Sequence, residues 1–157
     1  MIILGIDPGL TRAGYGLIKK EGSHLSLISC GLLQTSSLNH FDRLLELNAH
    51  LKDIISQNSP VALGLEKLYF SKNKKTGLAV AESRGAIILT AKNAGLPIFE
   101  FDPTQIKSSI TGFGQASKKD IKKYVELILK EPINKVDDAL DALAIAILTA
   151  SCLKLPI

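Results

Sequence analysis

The sequence of 157 residues lacks the features that are typical of membrane, secreted and zinc-binding proteins. Its longest apolar run, ALAIAILTA at 142–150, is too short to span a bilayer. No basic segment with a cleavage site precedes the opening MIILGID, so we expect no secretion and a cytoplasmic location. The cysteines, Cys30 and Cys152, have no motif spacing, which favours free thiols over a disulfide or a zinc site. The length predicts a single domain over residues 1–157.

Positive charge exceeds negative charge only modestly, but the positive charge is clustered. Lysine and arginine number 19 against 15 aspartates and glutamates, which gives a net charge of +4. The segment KLYFSKNKK (67–75) holds four lysines and two adjacent aromatics, and QASKKDIKKY (115–124) holds four lysines against one aspartate. Such clusters are typical of a nucleic-acid surface. For either cluster alone, a solvated loop or the wet face of a helix is the alternative.

Apolar residues recur with the spacing of an α/β protein. Short apolar runs and alternation predict five strands, and helical spacing predicts helices between and after them. This order predicts a mixed five-stranded sheet with helices on both faces, a pattern that fits ribonuclease H-like folds and half of an actin-like ATPase. The predicted strands cover 2–7, 13–22, 24–35, 61–66 and 97–101. The predicted helices cover 37–57 and 76–95, then a short helical turn after Asp102-Pro103, a lysine-rich helix ending near 130 and a last helix from about 136.

Four carboxylates occupy positions that can converge. Asp7 and Glu66 end two apolar strands that can be neighbours, and sites in open α/β sheets gather at the carboxyl ends of strands. Asp138 and Asp141 are three residues apart in DALDALAIAI, so they share one face of an otherwise apolar helix. Carboxylates this close repel one another unless a cation lies between them, and all-oxygen ligands favour Mg²⁺ or Mn²⁺.

Most of these carboxylates also have a structural interpretation when each is taken alone. Asp7, before Pro-Gly, can start a turn, and Glu66 can be solvated at a strand end. Asp137 and Asp138 can serve as a helix N-cap and as a partner of the helix dipole, and we predict the N-cap role for Asp137. Asp141, one turn into an apolar helix, is the hardest to explain in this way, so a metal site is the better explanation of the set.

A pair of divalent ions held by carboxylates is suited to phosphoryl chemistry. Two ions about 4 Å apart stabilise the attacking and the leaving oxygen of an in-line displacement. Together with the basic clusters, this chemistry predicts the hydrolysis of a nucleic-acid phosphodiester, with lysines that contact the phosphates.

Four segments, in order along the chain, resemble one known family. GIDPGLTRAGYG, LEKLYFSKN, ESRGAIILTAKNAGLPIFEFDPTQIKSSITGFGQASK and DALDALAIAI together resemble the RuvC family of crossover-junction endodeoxyribonucleases, the Holliday junction resolvases. The similarity runs over nearly the whole chain. It implies a ribonuclease H-like fold and a structure-selective endonuclease that cuts four-way DNA junctions by paired symmetric nicks, in homologous recombination and DNA repair.

The resemblance also implies roles for the acidic residues. Asp7, Glu66, Asp138 and Asp141 match the family's catalytic carboxylates. They are implied to bind two Mg²⁺ ions per active site, with Mn²⁺ as a substitute. Asp137 adds a carboxylate beside them, and we expect Asp138 rather than Asp137 to be the ligand.

Basic and aromatic residues are implied to contact the DNA. Tyr69 stands where the family commonly has a phenylalanine that stacks on bases at the junction centre, and Phe70 beside it could substitute. Lys118 is also implied to be catalytic, because its charge would offset that of the reacting phosphate. The full set that we expect to bind DNA is Tyr69, Phe70, Lys72, Lys107 and Lys118.

The implied partners are four-way junction DNA, a second copy of the chain and a branch-migration motor complex of the RuvA and RuvB type, with no membrane. The helix over 77–93 is implied to form much of the homodimer interface. The apolar residues that we expect to supply this surface are Leu78, Ala81, Ala86, Ile87 and Ile88.

Three other functions share parts of this pattern. An actin-like or sugar-kinase ATPase needs a second lobe with another Asp-x-Gly loop, whereas Asp7-Pro8-Gly9 is the only such tripeptide in the sequence. A ribonuclease H-like RNA nuclease shares the metal chemistry and differs only in its substrate. A non-catalytic DNA-binding scaffold of the same fold would not need the full set of four carboxylates.

Overall fold

The computed structural model describes residues 1–68 and 74–153, which form five strands and five helices. The strands are β1 (Ile2–Asp7), β2 (Arg12–Glu21), β3 (His24–Gln34), β4 (Ala62–Glu66) and β5 (Ile98–Phe101). The helices are α1 (His40–Asn58), α2 (Lys74–Asn93), α3 (Pro103–Thr111), α4 (Lys118–Leu129) and α5 (Asp137–Cys152). Among these residues, no helix is both long enough and apolar enough to cross a membrane.

The strands form one mixed sheet in the order β3-β2-β1-β4-β5. Antiparallel pairings join β1, β2 and β3, whereas β4 lies parallel to both β1 and β5. The turn between β2 and β3 contains Gly22 at a φ of 63°, a conformation that glycine adopts without strain. The parallel strands are connected by the helices α1 and α2, because parallel neighbours need a crossover. This architecture confirms the predicted mixed five-stranded α/β sheet.

Alternation along the strands decides which side chains face which helices. In β1, Ile3 belongs to the core beneath α3, α4 and α5, while Leu4 and Ile6 belong to the core beneath α1 and α2. Asp7 falls in the same row as Ile3, so it faces the α5 side of the sheet. Glu66 falls in the corresponding row of β4. The two acids therefore lie on the same face of the sheet.

Helix α5 lies directly on the sheet because the strands beneath it carry glycine. A Cβ atom on Gly14 would overlap the backbone carbonyl oxygen of Asp138. A Cβ atom on Gly16 would lie only 2.8 Å from the backbone nitrogen of Leu143. Any larger residue at these positions would move the helix away from the strands. The glycines in contact with α5 are Gly5, Gly14, Gly16 and Gly64.

Two predictions about where helices begin and how long they are prove wrong. The segment after Asp102, predicted as a short helical turn, is the nine-residue helix α3, with Pro103 at its first position. The backbone N–H of Asp102 donates to Oε1 of Gln105 at 3.4 Å, which helps to start this helix. The N-cap of α5 is Val136 rather than Asp137, because Val136 already has the extended backbone of a cap and Asp137 is the first helical residue.

The outer face of α2 is partly apolar and exposed. Leu78 and Leu89 on this helix are 61% and 62% exposed, and Phe41 and Leu45 on the neighbouring α1 are exposed to a greater extent still. Ile87, predicted to belong to this surface, is instead fully buried in the core. Ile87 and Leu89 are two residues apart, so their side chains point in directions that differ by about 200° around the helix axis. The other residues predicted for the surface are half-buried: Ala81, Ala86 and Ile88.

We predict that Gly5→Ala destabilises the fold, because the new Cβ would lie 2.6 Å from the backbone nitrogen of Ala146. Overpacking of this kind costs about 2 kcal/mol, which lowers the unfolding temperature by roughly 4–8 °C. Thermal unfolding followed by circular dichroism measures this change. Gly114→Ala is the matched control, because a Cβ there would lie an ordinary 3.6 Å from the carbonyl oxygen of Thr104. Equal unfolding temperatures for the two variants would contradict the role given to the strand glycines.

Candidate active site

The two strand-end carboxylates lie side by side at one edge of the sheet. Strands β1 and β4 are parallel neighbours, and their last paired residues are Ile6 and Leu65. Asp7 and Glu66 follow these residues at equivalent positions. Parallel strands end at the same edge of a sheet, which is where the side chains of a site can converge.

Helix α5 brings two further carboxylates to this edge. Gly14, which pairs with Asp7 across β1 and β2, lies against the backbone of Asp138. The first turn of α5 therefore lies directly over the end of β1. Asp141 follows three residues later on the same face of the helix. The structure thus brings together all four carboxylates that the sequence predicts.

A cleft runs along these carboxylates. One part has a volume of about 170 Å³ and is lined by Glu66, Asp141, Lys107 and Lys118, together with apolar residues of α3 and α4. An adjoining part, with a volume of about 150 Å³, is lined by Asp7 and again by Glu66. The acids and the lysines therefore face a shared space.

The environment of Asp7 raises its pKa from the usual 3.8 to about 7. Burial is the largest cause, because removing a carboxylate from water disfavours its charged form. The negative charges of Asp141, Glu66 and Asp138 raise the pKa further, in that order, and Lys118 opposes them. A buried acid among like charges is typical of a functional site.

Glu66 and Asp141 are affected in the same way. Burial raises the pKa of Glu66, the charge of Asp141 raises it further, and Lys107 lowers it. Burial is also the largest effect on the pKa of Asp141 and raises it, while Lys118 opposes the rise and Asp137 adds to it. Three acids at this edge of the sheet therefore resist ionisation together.

Two cations pair with the carboxylates of α5. Nε of Arg12, the first residue of β2, lies 2.7 Å from Oδ2 of Asp138. Nζ of Lys118 lies 3.1 Å from Oδ2 of Asp137 and 3.9 Å from Oδ2 of Asp141. The pair between Arg12 and Asp138 is not foreseen from the sequence. Its only signal is that Arg12 stands two residues before the strand glycine Gly14, and this spacing has no meaning until α5 is known to lie on this strand.

The structure favours Asp138 over Asp137 as the fourth acid of the site. The side chain of Asp138 is 23% exposed and its charge acts on the pKa of Asp7. The side chain of Asp137 is 65% exposed and bonds to Lys118. Asp137 is therefore better described as the partner of Lys118, in place of the N-cap role predicted for it.

The donor set suits a hard divalent cation. Asp7, Glu66 and Asp141 offer only carboxylate oxygens, which Mg²⁺ prefers, and a positive ion between them would remove the repulsion that raises their pKa values. In the described part of the chain, no three Asp, Glu, His or Cys side chains are close enough together to hold one ion. The ion pairs with Arg12 and Lys118 draw the α5 carboxylates toward those cations.

The predicted DNA-binding residues fall into two groups. Lys107 on α3 and Lys118 at the start of α4 both line the cleft. A hydrogen bond to an aspartate is the main cause that raises the pKa of Lys118, so this ammonium group stays charged at neutral pH. The others lie outside the described residues: Tyr69, Phe70 and Lys72.

The sequence of this chain matches one family over most of its length. Residues 3–149 match the family model described as crossover junction endodeoxyribonuclease RuvC. A curated protein of that name from Caldicellulosiruptor saccharolyticus is 47% identical over 149 residues, which are 93% of this chain and 90% of the relative. Another, from Ruminiclostridium cellulolyticum, is 44% identical over 149 residues, which are 94% of this chain and 90% of the relative.

The fold of this chain is also similar to a solved structure, described as T. thermophilus RuvC in complex with Holliday junction substrate. The TM-score is 0.89 and the sequence identity 28%, with 96% of this chain and 93% of that chain covered. This similarity confirms the predicted ribonuclease H-like fold and the family resemblance. Because these matches concern whole chains, the roles of individual residues stay predictions.

We predict that Asp7→Asn stabilises the metal-free protein at pH 8 and leaves its stability nearly unchanged at pH 4. Because the pKa of Asp7 is about 7 in the fold against a usual 3.8, ionisation costs the folded state stability as the pH rises from about 4 to 7. Asparagine carries no such cost. The expected rise in unfolding temperature is roughly 4 °C or more at pH 8.

Thermal unfolding in EDTA at both pH values measures this difference. Asp53→Asn, on the exposed face of α1, is the matched control. An unchanged or lower unfolding temperature for Asp7→Asn at pH 8 would contradict the buried, repelled state of Asp7.

Proposed function

This chain belongs to the RuvC family of crossover junction endodeoxyribonucleases, and on that basis we propose that it resolves four-way DNA junctions by paired symmetric nicks, in homologous recombination and DNA repair. The proposal depends above all on one observation. The half-buried acids Asp7, Glu66 and Asp141 line a cleft that Lys107 and Lys118 share. Acids suited to divalent ions beside cations suited to phosphate are what the hydrolysis of a DNA phosphodiester requires.

We propose Mg²⁺ as the cofactor, with two ions in each active site and Mn²⁺ able to substitute. Asp7, Glu66, Asp138 and Asp141 would hold them. When bound, such ions lower the pKa of water and stabilise negative charge on a phosphate. Asp7 would be the central ligand, because its pKa responds to the charges of the other three acids.

The lysines would act on the DNA phosphates. The Lys118 ammonium lies 3.9 Å from Asp141 and is largely exposed, so it can approach a phosphate without leaving the acids. Its positive charge would stabilise the charge that develops on the reacting phosphate. Lys107 lines the same part of the cleft and would hold a neighbouring phosphate. Junction affinity is then expected to fall as the salt concentration rises.

We propose that Tyr69 and Phe70 stack on bases at the centre of the junction and that Lys72 contacts a phosphate there. Leu68, which immediately precedes this segment, lines the cleft beside Asp7, and this position supports the proposal. Stacking of one base on an aromatic side chain contributes about 1–3 kcal/mol. The hydroxyl of Tyr69 does not prevent stacking.

We propose that a second copy of the chain covers the exposed apolar residues of α1 and α2. These two helices pack against each other, and their exposed Phe41, Leu45, Leu78 and Leu89 lie on faces that the fold leaves uncovered. When exposed apolar residues of neighbouring helices form one patch, that patch usually marks an interaction site. A symmetric dimer would also present two active sites, which paired nicks require.

The wider setting follows from this function. A junction is moved along DNA before it is resolved, so a branch-migration motor of the RuvA and RuvB type is the expected partner. The DNA substrate supports a cytoplasmic location.

We also propose that residues 1–157 act as a single domain, since the described residues share one sheet with a helical layer on each face.

Cleavage of a labelled four-way junction with Mg²⁺ tests the function, with linear DNA duplex and an RNA–DNA hybrid in parallel. The expected result is paired symmetric nicks in the junction alone, lost when EDTA is added. Cleavage of the hybrid alone would replace the proposal with an RNA nuclease. Binding of the junction without cleavage would favour a non-catalytic scaffold.

Asp7→Asn is expected to abolish junction cleavage and to leave junction binding intact, because it removes one carboxylate and no cation. A rate loss of about 10³-fold or more is expected, equivalent to about 4 kcal/mol. Single-turnover cleavage measures the rate, and gel retardation in EDTA measures binding. Asp53→Asn again serves as the control. Loss of binding together with cleavage would count against this role for Asp7.

Leu89→Asp is expected to convert a dimer into a monomer at micromolar concentration, because a charge buried in an apolar interface is costly. Sedimentation velocity measures the association. Leu127→Asp is the matched control, since Leu127 is 67% exposed but lies on α4. A monomeric wild-type protein, or equal association of the two variants, would exclude this interface.

A further inference from the structure

Two consecutive residues of α2 hydrogen-bond to the backbone at the ends of the two strands that carry Asp7 and Glu66. Oγ of Ser83 donates to the carbonyl oxygen of Gly9 at 3.1 Å, two residues after Asp7. Nε of Arg84 donates to the carbonyl oxygen of Glu66 itself at 3.3 Å. Two adjacent residues of one helix therefore hydrogen-bond to the backbone close to both strand-end acids.

Both side chains lie in a buried environment, where a polar group without a hydrogen-bond partner destabilises the fold. Ser83 is fully buried, and a buried hydroxyl without a hydrogen bond destabilises a fold. Arg84 is largely buried and also forms a close ion pair with Glu100 of β5. Its guanidinium therefore joins the carboxyl end of β4 to the neighbouring strand. Neither residue is among those that line the cleft, so we expect neither to touch the substrate.

The backbone that these side chains hold is otherwise only partly fixed. Sheet pairing of β1 with β4 ends at Ile6 and Leu65, so each acid is paired on one side alone, Asp7 with Gly14 of β2 and Glu66 with Phe101 of β5. Further along the loop between β1 and β2, Oγ1 of Thr35 donates to the carbonyl oxygen of Leu10 at 2.9 Å. Gly9 thus lies between the end of the sheet pairing and the first contact with Thr35, and Ser83 holds it there.

We propose that Ser83 and Arg84 are positioning residues that fix the backbone at the two strand ends and so set the separation of the carboxylates of Asp7 and Glu66. The proposal rests on the function proposed above for those acids, and it extends that function to two residues that do not touch the substrate. Catalytic groups must be held within about half an ångström of their working geometry, which requires a rigid supporting shell of this kind.

The same helix connects this support to the opposite side of the molecule. Leu78 and Leu89 lie on the exposed face of α2, and Ser83 lies on its buried face. A shift of α2 would therefore move both strand-end acids at once. Helix α2 thus carries the exposed apolar residues on one face and contacts both strand ends with the other.

Amide hydrogen exchange of the metal-free, DNA-free protein tests the positioning directly. The amide of Thr35 donates to the carbonyl oxygen of Thr11 at 3.0 Å and reports on the loop after β1. The amide of Lys67 donates to the carbonyl oxygen of Phe101 at 2.9 Å and reports on the end of β4. Ser83→Ala is expected to speed exchange at Thr35 about tenfold, and Arg84→Gln to do the same at Lys67.

A second measurement follows Mn²⁺ binding by the same variants in calorimetric titration. Loss of a group that orients metal ligands typically weakens affinity about 10- to 100-fold, and we expect about tenfold for Ser83→Ala and Arg84→Gln. Arg84→Lys is expected to recover part of the affinity, since an ammonium still carries the charge and a donor for Glu66. Junction binding in EDTA is expected to stay unchanged for all three.

Thr90→Val is the matched control for these variants. Thr90 is also buried on α2, and its hydroxyl donates to Oδ1 of Asn48 at 2.8 Å, away from the strand ends. It is expected to lower stability without changing exchange at Thr35 and Lys67 or the Mn²⁺ affinity.

Two results would overturn the proposal. One is exchange at Thr35 and Lys67 that does not change in Ser83→Ala and Arg84→Gln, or that changes equally in Thr90→Val. The other is faster exchange at those amides with Mn²⁺ affinity equal to that of the wild type. A wild-type protein that cleaves no junction would overturn the proposed function instead, and the exchange measurement, which needs neither metal nor DNA, would still decide the positioning.

Discussion

Direct contact between α5 and the glycines of the sheet is the constraint on which both the fold and the site depend. Helix α5 can approach the strands closely only because residues such as Gly14 and Gly16 place no side chain beneath it. Because the helix lies so close to the strands, its small and branched side chains form the core on that face of the sheet. It also fixes where the helix begins, directly over the end of β1. Packing and chemistry are therefore determined by the same contact.

The negative charges of the site are only partly compensated by the positive charges that the fold places beside them. Burial and mutual repulsion raise the pKa values of Asp7, Glu66 and Asp141, and the available cations compensate only in part. Arg12 and Lys118 reach the carboxylates of α5, at the outer side of the cluster. At Asp7 and Glu66, Lys118 and Lys107 offset only part of the effect of burial and repulsion. A site with this imbalance attracts a divalent cation from solution more strongly than a site whose charges are already paired.

Local sequence patterns predict the elements and the placement of the four acids at one edge of the sheet, because these depend on periodicity and on strand ends. They fail where the outcome depends on contacts between distant segments. Asp137 looks like a helix cap, but the extended backbone of Val136 takes that position and Asp137 pairs with Lys118. Ile87 looks like interface surface, but the rotation of α2 against the sheet buries it. The pairing of Arg12 with Asp138 requires the register of β2 beneath α5, which no local pattern reports.

The glycines beneath α5 bear on how such a site could be transferred to another protein by design. Copying the four acids into the equivalent strands and helix of a different scaffold would not reproduce the centre if the recipient strands carried ordinary side chains. The recipient helix would sit farther from the strands, and its carboxylates would be displaced from the strand-end acids by the thickness of the intervening side-chain layer. A successful transfer would therefore require the four acids together with the strand glycines beneath the helix. In that sense Gly5, Gly14, Gly16 and Gly64 are as much a part of the active site as the residues that carry charge.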